Sequence, residues 1–409
     1  MRMTCHLITL LGLMSFIGLI SSTSHAAISD DVVYGRFYNN QYQLYRNDGA
    51  TMQESVGTGY LAGIDSGILE MVGTTNGDVI VARQYNNTFD LFRYDGSTLT
   101  KQNTSPSKGI DSGFLGMVAT SGGDVVVGRR YNSQFDLLHY DVDPDSGNSG
   151  YPNVTQKNGS SLAGLDDGFL GMVASTDNHV VVARHYGNKW DLLRYNVDPA
   201  ANNAGFPNVV EANRGTELAG MDDGFLGMVA ATDGHVVMSR HYGGQWDLLR
   251  YDVTADPIVE ANRGTSLAGM DDGFLDMVTT KSGDVVMVRH YNDVWELLRY
   301  DVTGASITEA ARSPSGRGRD NGYLGAVALG NGDIVLGRQG GANQVELFLY
   351  DGVTLNEKAN NLSSLRGVDH GFIGMTGFSF IPEPTTMSLL VGGLATLLFG
   401  ARRKHVVRG

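Results

Sequence analysis

Residues 220–252 read GMDDGFLGMVAATDGHVVMSRHYGGQWDLLRYD, and near-copies of this stretch recur along most of the 409-residue chain. Each copy opens with an Asp in a G-x-D-x-G-like turn, and these residues are Asp65, Asp111, Asp166, Asp222, Asp271, Asp320 and Asp369. A V-V-x-x-R-like segment marks each copy a second time, and its arginines are Arg36, Arg83, Arg129, Arg184, Arg240, Arg289 and Arg338. Repeats of about 50 residues are typical of architectures in which each unit packs on its neighbours.

Each unit predicts four short strands. In the fourth copy these are Phe225–Ala230, His235–His241, Gln245–Tyr251 and Ile258–Asn262, separated by clusters of Gly, Asn, Asp and Thr. No window has the 3.6-residue apolar period of a helix. The pattern therefore predicts an all-β fold over residues 28–380, a seven-bladed β-propeller with four-stranded blades.

The two ends of the repeat region are complementary. The chain enters it with the second half of a unit, Asp30–Gly49, and leaves it with a first half, Val368–Phe378. A blade built from both chain ends would close the ring and remove free sheet edges. An open β-solenoid is the alternative, but it does not account for the complementary ends.

The first 26 residues predict a secretory signal peptide. Arg2 precedes an apolar run from Leu7 to Ile20, and small residues follow up to Ala26. A retained membrane anchor is the alternative, although the apolar run is short for a span. Cys5 is the single cysteine and lies in this segment, so the exported part would have no disulfide and no thiolate metal site.

Residues 382–409 contain the most specific pattern in the chain. Pro382-Glu383-Pro384 is followed by an apolar run over residues 387–401 and then by Arg402-Arg403-Lys404. This order resembles the PEP-CTERM sorting signal of Gram-negative bacteria. The resemblance implies processing near Pro382–Pro384 by an exosortase, transient anchoring through a transmembrane helix, and a final location on the cell surface or in the biofilm matrix. A plain C-terminal anchor is the alternative.

The chain is acidic, with a formal net charge of −14 at pH 7. An acidic exterior repels phosphate backbones and anionic lipid surfaces, which argues against nucleic acid as a partner. It suits a neutral partner or a bound cation.

The repeated arginines have cross-strand partners that favour a structural role. A two-residue turn between the second and third strands would place each Arg opposite an acid. The predicted pairs are Arg83–Asp90, Arg129–Asp136, Arg184–Asp191, Arg240–Asp247 and Arg289–Glu296, with Gln43 opposite Arg36. A repeated ion pair between packed sheets supports the fold. The Asp of the G-x-D-x-G turn is assigned a structural role as well, with calcium binding as the alternative.

The position after each Arg varies between copies and is more informative. Three consecutive copies have His185, His241 and His290 there, and the residues predicted directly opposite are Trp190, Trp246 and Trp295. Equivalent atoms of neighbouring blades should be about 10 Å apart, too far for the imidazoles to share a metal ion. These pairs predict a carbohydrate-binding face at the hairpin tips, where rings stack on sugars. Packing of the indoles between blades is the alternative, and it is the interpretation that we favour.

An inserted loop after the third strand of the second unit has D-x-D-x-D spacing, at Asp141, Asp143 and Asp145. Alternate carboxylates in a tight loop can bind calcium. However, Pro144 interrupts the spacing, and no Glu closes a twelve-residue loop. We therefore predict no cofactor, with calcium as the alternative.

Signatures of catalysis are missing from the sequence, which has no G-x-S-x-G, no H-E-x-x-H, no phosphate-binding loop and no dinucleotide fingerprint. From Asn76 to Gly96 the repeat resembles a broad class of extracytoplasmic propellers, which includes enzymes and binding proteins alike. We predict an exported, non-enzymatic binding or scaffold protein of the cell surface or exopolysaccharide matrix, without catalytic residues and with a carbohydrate or protein partner. An exported carbohydrate-active hydrolase or lyase is the alternative, because paired carboxylates such as Asp222-Asp223 recur.

Overall fold

The computed structural model describes the repeat region in segments. The described residues are 30–38, 41–52, 54–57, 68–85, 88–96, 99–102, 113–131, 134–140, 142, 168–175, 179–186, 189–197, 210–215, 224–242, 245–264, 273–291, 294–313, 322–339, 345–361 and 372–377. The predicted signal peptide, the loop residues Asp141, Asp143 and Asp145, and the predicted C-terminal sorting signal lie outside these residues.

The described residues form 27 β-strands and no helix. The first ten are β1 (Val32–Tyr38), β2 (Gln41–Asn47), β3 (Glu54–Gly57), β4 (Ile68–Gly73), β5 (Val79–Tyr85), β6 (Thr88–Tyr94), β7 (Leu99–Gln102), β8 (Phe114–Ala119), β9 (Val125–Tyr131) and β10 (Gln134–Tyr140). The next eight are β11 (Phe169–Ala174), β12 (His179–Tyr186), β13 (Lys189–Asn196), β14 (Val210–Gly215), β15 (Phe225–Ala230), β16 (Val236–Tyr242), β17 (Gln245–Asp252) and β18 (Val259–Gly264). The last nine are β19 (Phe274–Thr279), β20 (Val285–Tyr291), β21 (Val294–Asp301), β22 (Thr308–Arg312), β23 (Tyr323–Ala328), β24 (Ile334–Gln339), β25 (Val345–Tyr350), β26 (Glu357–Asn361) and β27 (Phe372–Gly377).

These strands form small antiparallel sheets. Their strand orders are β27-β1-β2-β3, β4-β5-β6-β7, β8-β9-β10, β11-β12-β13-β14, β15-β16-β17-β18, β19-β20-β21-β22 and β23-β24-β25-β26. The all-β prediction is confirmed, and the strands predicted in the fourth copy agree with β15 to β18 to within two residues. Val, Ile, Leu and aromatic residues fill the strands because such side chains pack well on a pleated surface.

The strands β27, β4, β8, β11, β15, β19 and β23 begin the seven sheets, and we call them the first strands. Each of them contacts the next in the order just given, and β23 contacts β27. The sheets therefore face one another through their first strands, while the fourth strands lie on the outside. Four residues of β18 and β22 that are exposed to water illustrate this outer position: Val259, Glu260, Thr308 and Glu309.

The hydrophobic core lies between neighbouring sheets. One cluster joins Val181 and Leu192 of one sheet to Met238 and Leu249 of the next, and all four are fully buried. Equivalent clusters occupy the other junctions. Because each sheet buries both of its faces in this way, the second and third strands carry nearly continuous apolar sequences.

The two ends of the described chain meet in one sheet. Strand β27 pairs antiparallel with β1, so that Met375 lies opposite Tyr34 and Gly374 opposite Gly35. The N-terminal half-unit and the C-terminal half-unit of the sequence thus combine into a single four-stranded sheet.

Candidate functional site

A cavity of about 360 Å³ is lined by residues from all seven first strands. Its walls include Met117, Met172, Met228 and Met277 together with the Val that follows each of them. This volume lies at the lower end of the range of small-molecule sites, about 300–1,000 Å³. In the part of the chain that the structure describes, the cavity is therefore the candidate ligand site.

The cavity occupies the end of the first strands that is remote from the predicted carbohydrate-binding face. It is bordered by the second half of β15 and by the turn that follows, from Met228 to Thr232. The start of β15 lies beside the hairpin between β16 and β17, because the backbone N–H of His241 donates to the carbonyl oxygen of Gly224 (3.0 Å). We call these two ends the cavity end and the hairpin end.

Two of the first strands depart from a shared sequence pattern. The third residue is Gly116, Gly171, Gly227, Gly325 or Gly374 in five of them, but it is Glu70 in β4 and Asp276 in β19. A β-bulge precedes this residue in every first strand. A Cβ atom at Gly227 would lie 3.0 Å from the Phe274 ring, so the position points towards the next first strand. Bulges often re-aim a side chain in this way beside functional sites.

Glu70 reaches across to the neighbouring first strand. Its Oε2 accepts a hydrogen bond from the backbone N–H of Met117 (2.6 Å), a residue of the cavity wall. The side chain is half-buried, and loss of hydration raises the pKa of Glu70 to about 7 despite that hydrogen bond. No protein partner of Oε1 occurs among the described residues. The pKa of Glu70 therefore lies near neutral pH, and from β4 only Val72 and Gly73 line the cavity itself.

Asp276 has a more complete set of donors. Its Oδ1 accepts from the backbone N–H of Met277 (2.7 Å). Its Oδ2 accepts from the Tyr323 hydroxyl (2.9 Å) and from the backbone N–H of Ala326 (3.1 Å). Burial raises the pKa of Asp276 in spite of these three donors. Burial and the neighbouring carboxylate together raise the pKa of Tyr323 well above its usual value, so its hydroxyl remains a donor.

The residues around Asp276 are adapted to it. Five other first strands begin with Phe, whereas β23 begins with Tyr323, which supplies a hydroxyl. The fourth residue is Met in the other six first strands, whereas β23 has Ala326. Neither Glu70 nor Asp276 is among the predicted site residues, although an alignment of the seven copies at the third position contains the signal.

The three predicted Trp residues are fully buried between sheets. Trp190, Trp246 and Trp295 have no exposed surface. Their indole Nε1–H groups donate to hydroxyls of the next sheet, those of Tyr251 (3.1 Å), Tyr300 (3.2 Å) and Tyr350 (3.2 Å). The prediction that these rings stack on a sugar does not fit this burial, because no ring face is accessible. The geometry fits the alternative, packing between blades.

The three predicted histidines lie opposite the indoles, as the two-residue turn predicts. The pairs His185–Trp190, His241–Trp246 and His290–Trp295 occur in the strand registers. All three imidazoles are half-buried at the hairpin end. Nε2 of His290 is buried without a hydrogen-bond partner among the described residues. The histidines are therefore brought to one end of the molecule, but the indoles opposite them are not exposed there.

Each predicted Arg–acid pair lies at directly opposite positions of two neighbouring strands. Measured between a guanidinium nitrogen and a carboxylate oxygen, the distances are 3.0 Å for Arg83–Asp90, 2.9 Å for Arg184–Asp191, 2.9 Å for Arg240–Asp247 and 2.7 Å for Arg289–Glu296. Arg129 lies opposite Asp136, and Arg36 donates to Gln43 (2.9 Å). The guanidinium of Arg289 also lies 5.8 Å from the Trp246 ring centre. These buried arginines join strands and sheets, as the structural interpretation requires.

Several predicted site residues lie outside the described residues. They are the seven Asp of the G-x-D-x-G turns, the loop residues Asp141, Asp143 and Asp145, and the processing signal Pro382, Glu383 and Pro384. Within the described segments, no group of three or more His, Cys, Asp or Glu side chains could hold a metal ion. Calcium binding by the inserted loop stays the alternative to the prediction that no cofactor is bound.

A search of the described segments for a helix long and apolar enough to cross a membrane finds none. The predicted C-terminal membrane segment, residues 387–401, lies outside those segments.

Comparisons with known proteins show the fold but no family. No family model matches the chain, and no curated protein matches it. Among solved structures, a Bacteroides fragilis protein provisionally named a 6-phosphogluconolactonase is 12% identical with a TM-score of 0.54, over 87% of this chain and 99% of that one. A puromycin hydrolase variant is 12% identical with a TM-score of 0.50, over 85% of this chain and 53% of that one. The β-propeller domain of the Trilobed protease from Pyrococcus furiosus is 10% identical with a TM-score of 0.46, over 87% and 93%.

These comparisons contradict the prediction that the chain is not an enzyme. Two of the similar structures belong to proteins named as enzymes, a 6-phosphogluconolactonase and a hydrolase. Sequence identities near 12% carry over the fold alone and not the activity. The fold of this chain therefore accommodates catalysis, and the lack of a familiar catalytic signature in the sequence does not exclude it.

Proposed function

We propose that this chain is an exported, seven-bladed β-propeller whose central cavity binds a ligand of the cell surface or the extracellular matrix. Three observations support a closed ring of seven blades: the seven small sheets, the cyclic contacts between first strands, and the pairing of β27 with β1. A closed ring also explains why the sequence begins and ends its repeat region with complementary halves of a unit.

Export is proposed from the sequence patterns at the two chain ends. Residues 1–26 would direct secretion, and residues 382–409 would anchor the protein transiently until an exosortase cleaves near Pro382–Pro384. Expression in Gram-negative hosts with and without an exosortase, followed by mass measurement of the product, tests this. An intact C-terminus in the exosortase-positive host would refute it.

The proposed ligand is a carbohydrate of the matrix, and this class is inferred from the carboxyl groups of Glu70 and Asp276. Both carboxyl groups are bonded to the backbone of residues that line the cavity, Met117 for Glu70 and Ala326 for Asp276. Burial raises both pKa values, and Glu70, unlike Asp276 with its three protein donors, can accept a further hydrogen bond when ionised and donate one when protonated. Hydroxyl groups of sugars are partners for both forms. The site replaces the hairpin-end face, where the indoles are inaccessible.

The test is binding of the host exopolysaccharide by the purified exported protein, measured by calorimetry. Glu70→Gln keeps the size of the side chain but removes the ionised form, and we expect at least tenfold weaker binding. Glu260→Gln is the matched control, because Glu260 lies on an outer strand and pairs with Arg263 there. Equal affinity of wild type and Glu70→Gln would refute the central cavity as the carbohydrate site.

A second candidate function is hydrolysis or lyase cleavage of the same polysaccharide. One observation favours it: the pKa of Glu70, raised to about 7 by burial, is suited to a general acid at neutral pH. In hydrolysis the Glu70 carboxyl would give its proton to the departing sugar oxygen, and water would supply the hydroxyl that completes the other product. Release of reducing ends by wild type but not by Glu70→Gln would support this function, and absence of release by wild type would refute it.

A further inference from the structure

Lys281 is the only charged residue that lines the cavity in the part of the chain that the structure describes. No Asp or Glu among the described residues lines it, and the rest of the wall consists of Met, Val, Ala, Leu, Gly and Thr. The chain as a whole has a formal net charge of −14, and a net charge of this sign repels anions. The cavity wall is therefore an exception, a mainly apolar surface with a single positive charge at one end.

Lys281 departs from the pattern of the repeat. It is the second residue of the turn between the first and second strands of its sheet, and the residues at this place in five other copies are uncharged: Thr75, Ser121, Thr176, Thr232 and Gly330. The turn does not depend on the lysine. The backbone N–H of Thr280 donates to the carbonyl oxygen of Asp284 (2.8 Å), and the same bond joins Ala231 to His235 (2.8 Å). A role in the fold therefore does not explain the charge.

The acidic residues nearest to Lys281 in the turns at the cavity end already have cationic partners. Oδ2 of Asp284, in the same turn, lies 2.9 Å from a guanidinium nitrogen of Arg299. Oδ2 of Asp333, in the turn of the next sheet, lies 2.6 Å from Nζ of Lys358. Lys281 itself is exposed, and its ammonium group has no hydrogen-bond or ion-pair partner among the described residues. It is therefore available to an anionic group of a ligand.

Contacts between successive turns fix the base of the lysine. A Cβ atom at Gly332 would lie 3.5 Å from Cβ of Lys281, so the base of this side chain lies against the turn of the next sheet. A Cβ atom at Gly283 would lie 2.6 Å from Oγ1 of Thr232, so a hydroxyl of the preceding turn lies against the turn of Lys281. Thr232 and Lys281 both line the cavity. A ligand in the cavity thus meets a cation and a hydroxyl at the same end.

Backbone groups of the first strands supply further polar partners. The backbone N–H of Gly73 donates to Thr376 Oγ1 (3.0 Å), and the carbonyl oxygen of Ala230 accepts from Thr279 Oγ1 (2.7 Å). These bonds go to side chains of neighbouring first strands and not to the second strand of the same sheet. The free edges of the first strands therefore direct backbone donors and acceptors away from their own sheets, and such groups are suitable partners for sugar hydroxyls.

We propose, on the basis of the proposed carbohydrate function, that the cavity takes one acidic sugar residue, a uronic acid, whose carboxylate is bound by the ammonium group of Lys281. One ammonium group matches a ligand that has one negative charge, and it donates hydrogen bonds to the carboxylate oxygens. Because Lys281 is exposed, both charges keep part of their hydration, and the cost of bringing them together is small. The cavity volume of about 360 Å³ suits a single sugar residue, whose C–H groups contact the Met and Val wall.

The experiment compares pairs of sugars that differ only in the carboxylate, using the full exported protein and calorimetry with saturation-transfer NMR. The probes are methyl glucuronide against methyl glucoside and methyl galacturonide against methyl galactoside. We expect the uronide of each pair to bind roughly tenfold more tightly, which is the effect of one charge-assisted hydrogen bond. Lys281→Met keeps the length of the side chain without its charge and should abolish this preference, whereas Lys281→Arg should retain it.

Arg263→Met is the matched control, because it removes one positive charge from the outer strand β18, where Arg263 pairs with Glu260. It should leave the preference for the uronides unchanged. If the uronides bind no more tightly than their neutral partners, or if the preference survives in Lys281→Met, the acidic-sugar inference is overturned, and binding of the matrix polysaccharide then decides the carbohydrate function by itself. If neither the probes nor the matrix polysaccharide bind to wild type, both are overturned.

Discussion

Replacement of Tyr323 by Phe is expected to destabilise the protein, although Phe is the residue that five other first strands have at this position. The Tyr323 hydroxyl is 2.9 Å from Oδ2 of Asp276 and shares that oxygen with the backbone N–H of Ala326. Its removal leaves a half-buried carboxyl group with one donor fewer. Loss of a donor at such a site costs about 1–3 kcal/mol. We therefore expect the free energy of unfolding to fall by that amount.

The same substitution should cost little in a chain that already has Asp276→Gly. The double variant has Gly at the third position of one first strand and Phe at the start of the next. The junction between β15 and β19 already has this combination, and there a Cβ atom at Gly227 would lie 3.0 Å from the Phe274 ring. With no carboxyl group left to satisfy, a Phe ring fills the space, and its cost should stay below about 0.5 kcal/mol. The coupling between the two positions is then about 1–3 kcal/mol.

The assay is urea denaturation of wild type, both single variants and the double variant at one pH. Phe225→Tyr is the matched control, because it introduces a hydroxyl opposite Gly171, where no carboxyl group accepts it. That variant should be neutral or destabilising. Additive effects of Tyr323→Phe and Asp276→Gly, within about 0.5 kcal/mol, would refute the assignment of Tyr323 as the donor that stabilises Asp276.

Three further predictions concern Glu70, the indoles and the paired chain ends. The pKa of Glu70 is raised from 4.5 to about 7, so the folded state binds a proton more tightly than the unfolded state does. The free energy of unfolding of wild type should therefore fall by up to about 3 kcal/mol as the pH rises from 4.5 to 7, and that of Glu70→Gln should fall less, as urea midpoints at pH 5 and 8 will show. Trp246→Ala should lower the free energy of unfolding by about 3–5 kcal/mol, whereas His241→Ala, at a half-buried side chain, should lower it by less than about 1 kcal/mol. Similar thermal midpoints of the two variants would contradict the packing role of Trp246. A chain truncated after residue 371 loses β27 and exposes the edge of β1, so it should unfold at lower urea and be cleaved faster by protease; unchanged resistance would contradict the closing role of β27.

The repeat pattern predicted the register of the strands because the register depends on local sequence. A two-residue hairpin sets which residues face each other, so Arg240 could be placed opposite Asp247 and His241 opposite Trp246 from spacing alone. The same pattern could not place the indoles. Whether Trp246 faces water or the next sheet depends on the distance between sheets, and its bond to Tyr300 joins residues 54 positions apart.

The candidate site was missed for a related reason. The predictions favoured residues that are alike in most copies of the Arg strand, and they compared variation only at the position beside it. Glu70 and Asp276 lie in the first strand, where Gly is the common residue and a carboxyl group looks like a surface substitution. Only the packing of first strands against one another turns that position inward, towards the next strand and the cavity wall. The cavity itself is formed by seven strands that are distant in sequence, so no local pattern contains it.

The contrast between the two carboxyl groups is the strongest reason to place function at Glu70. Around Asp276, Tyr323 and Ala326 have replaced the usual Phe and Met, and the cost of the buried group is offset by three donors. Around Glu70, Phe114 and Met117 are the usual residues, and one backbone donor is all that the neighbouring strand provides. A half-buried carboxyl group whose pKa is raised by burial lowers the stability of the folded state as the pH rises through neutrality. Such uncompensated costs concentrate at sites where a ligand supplies the missing partner. Glu70, and not the better-satisfied Asp276, is therefore the carboxyl group beside the cavity wall for which a ligand is expected to supply a partner.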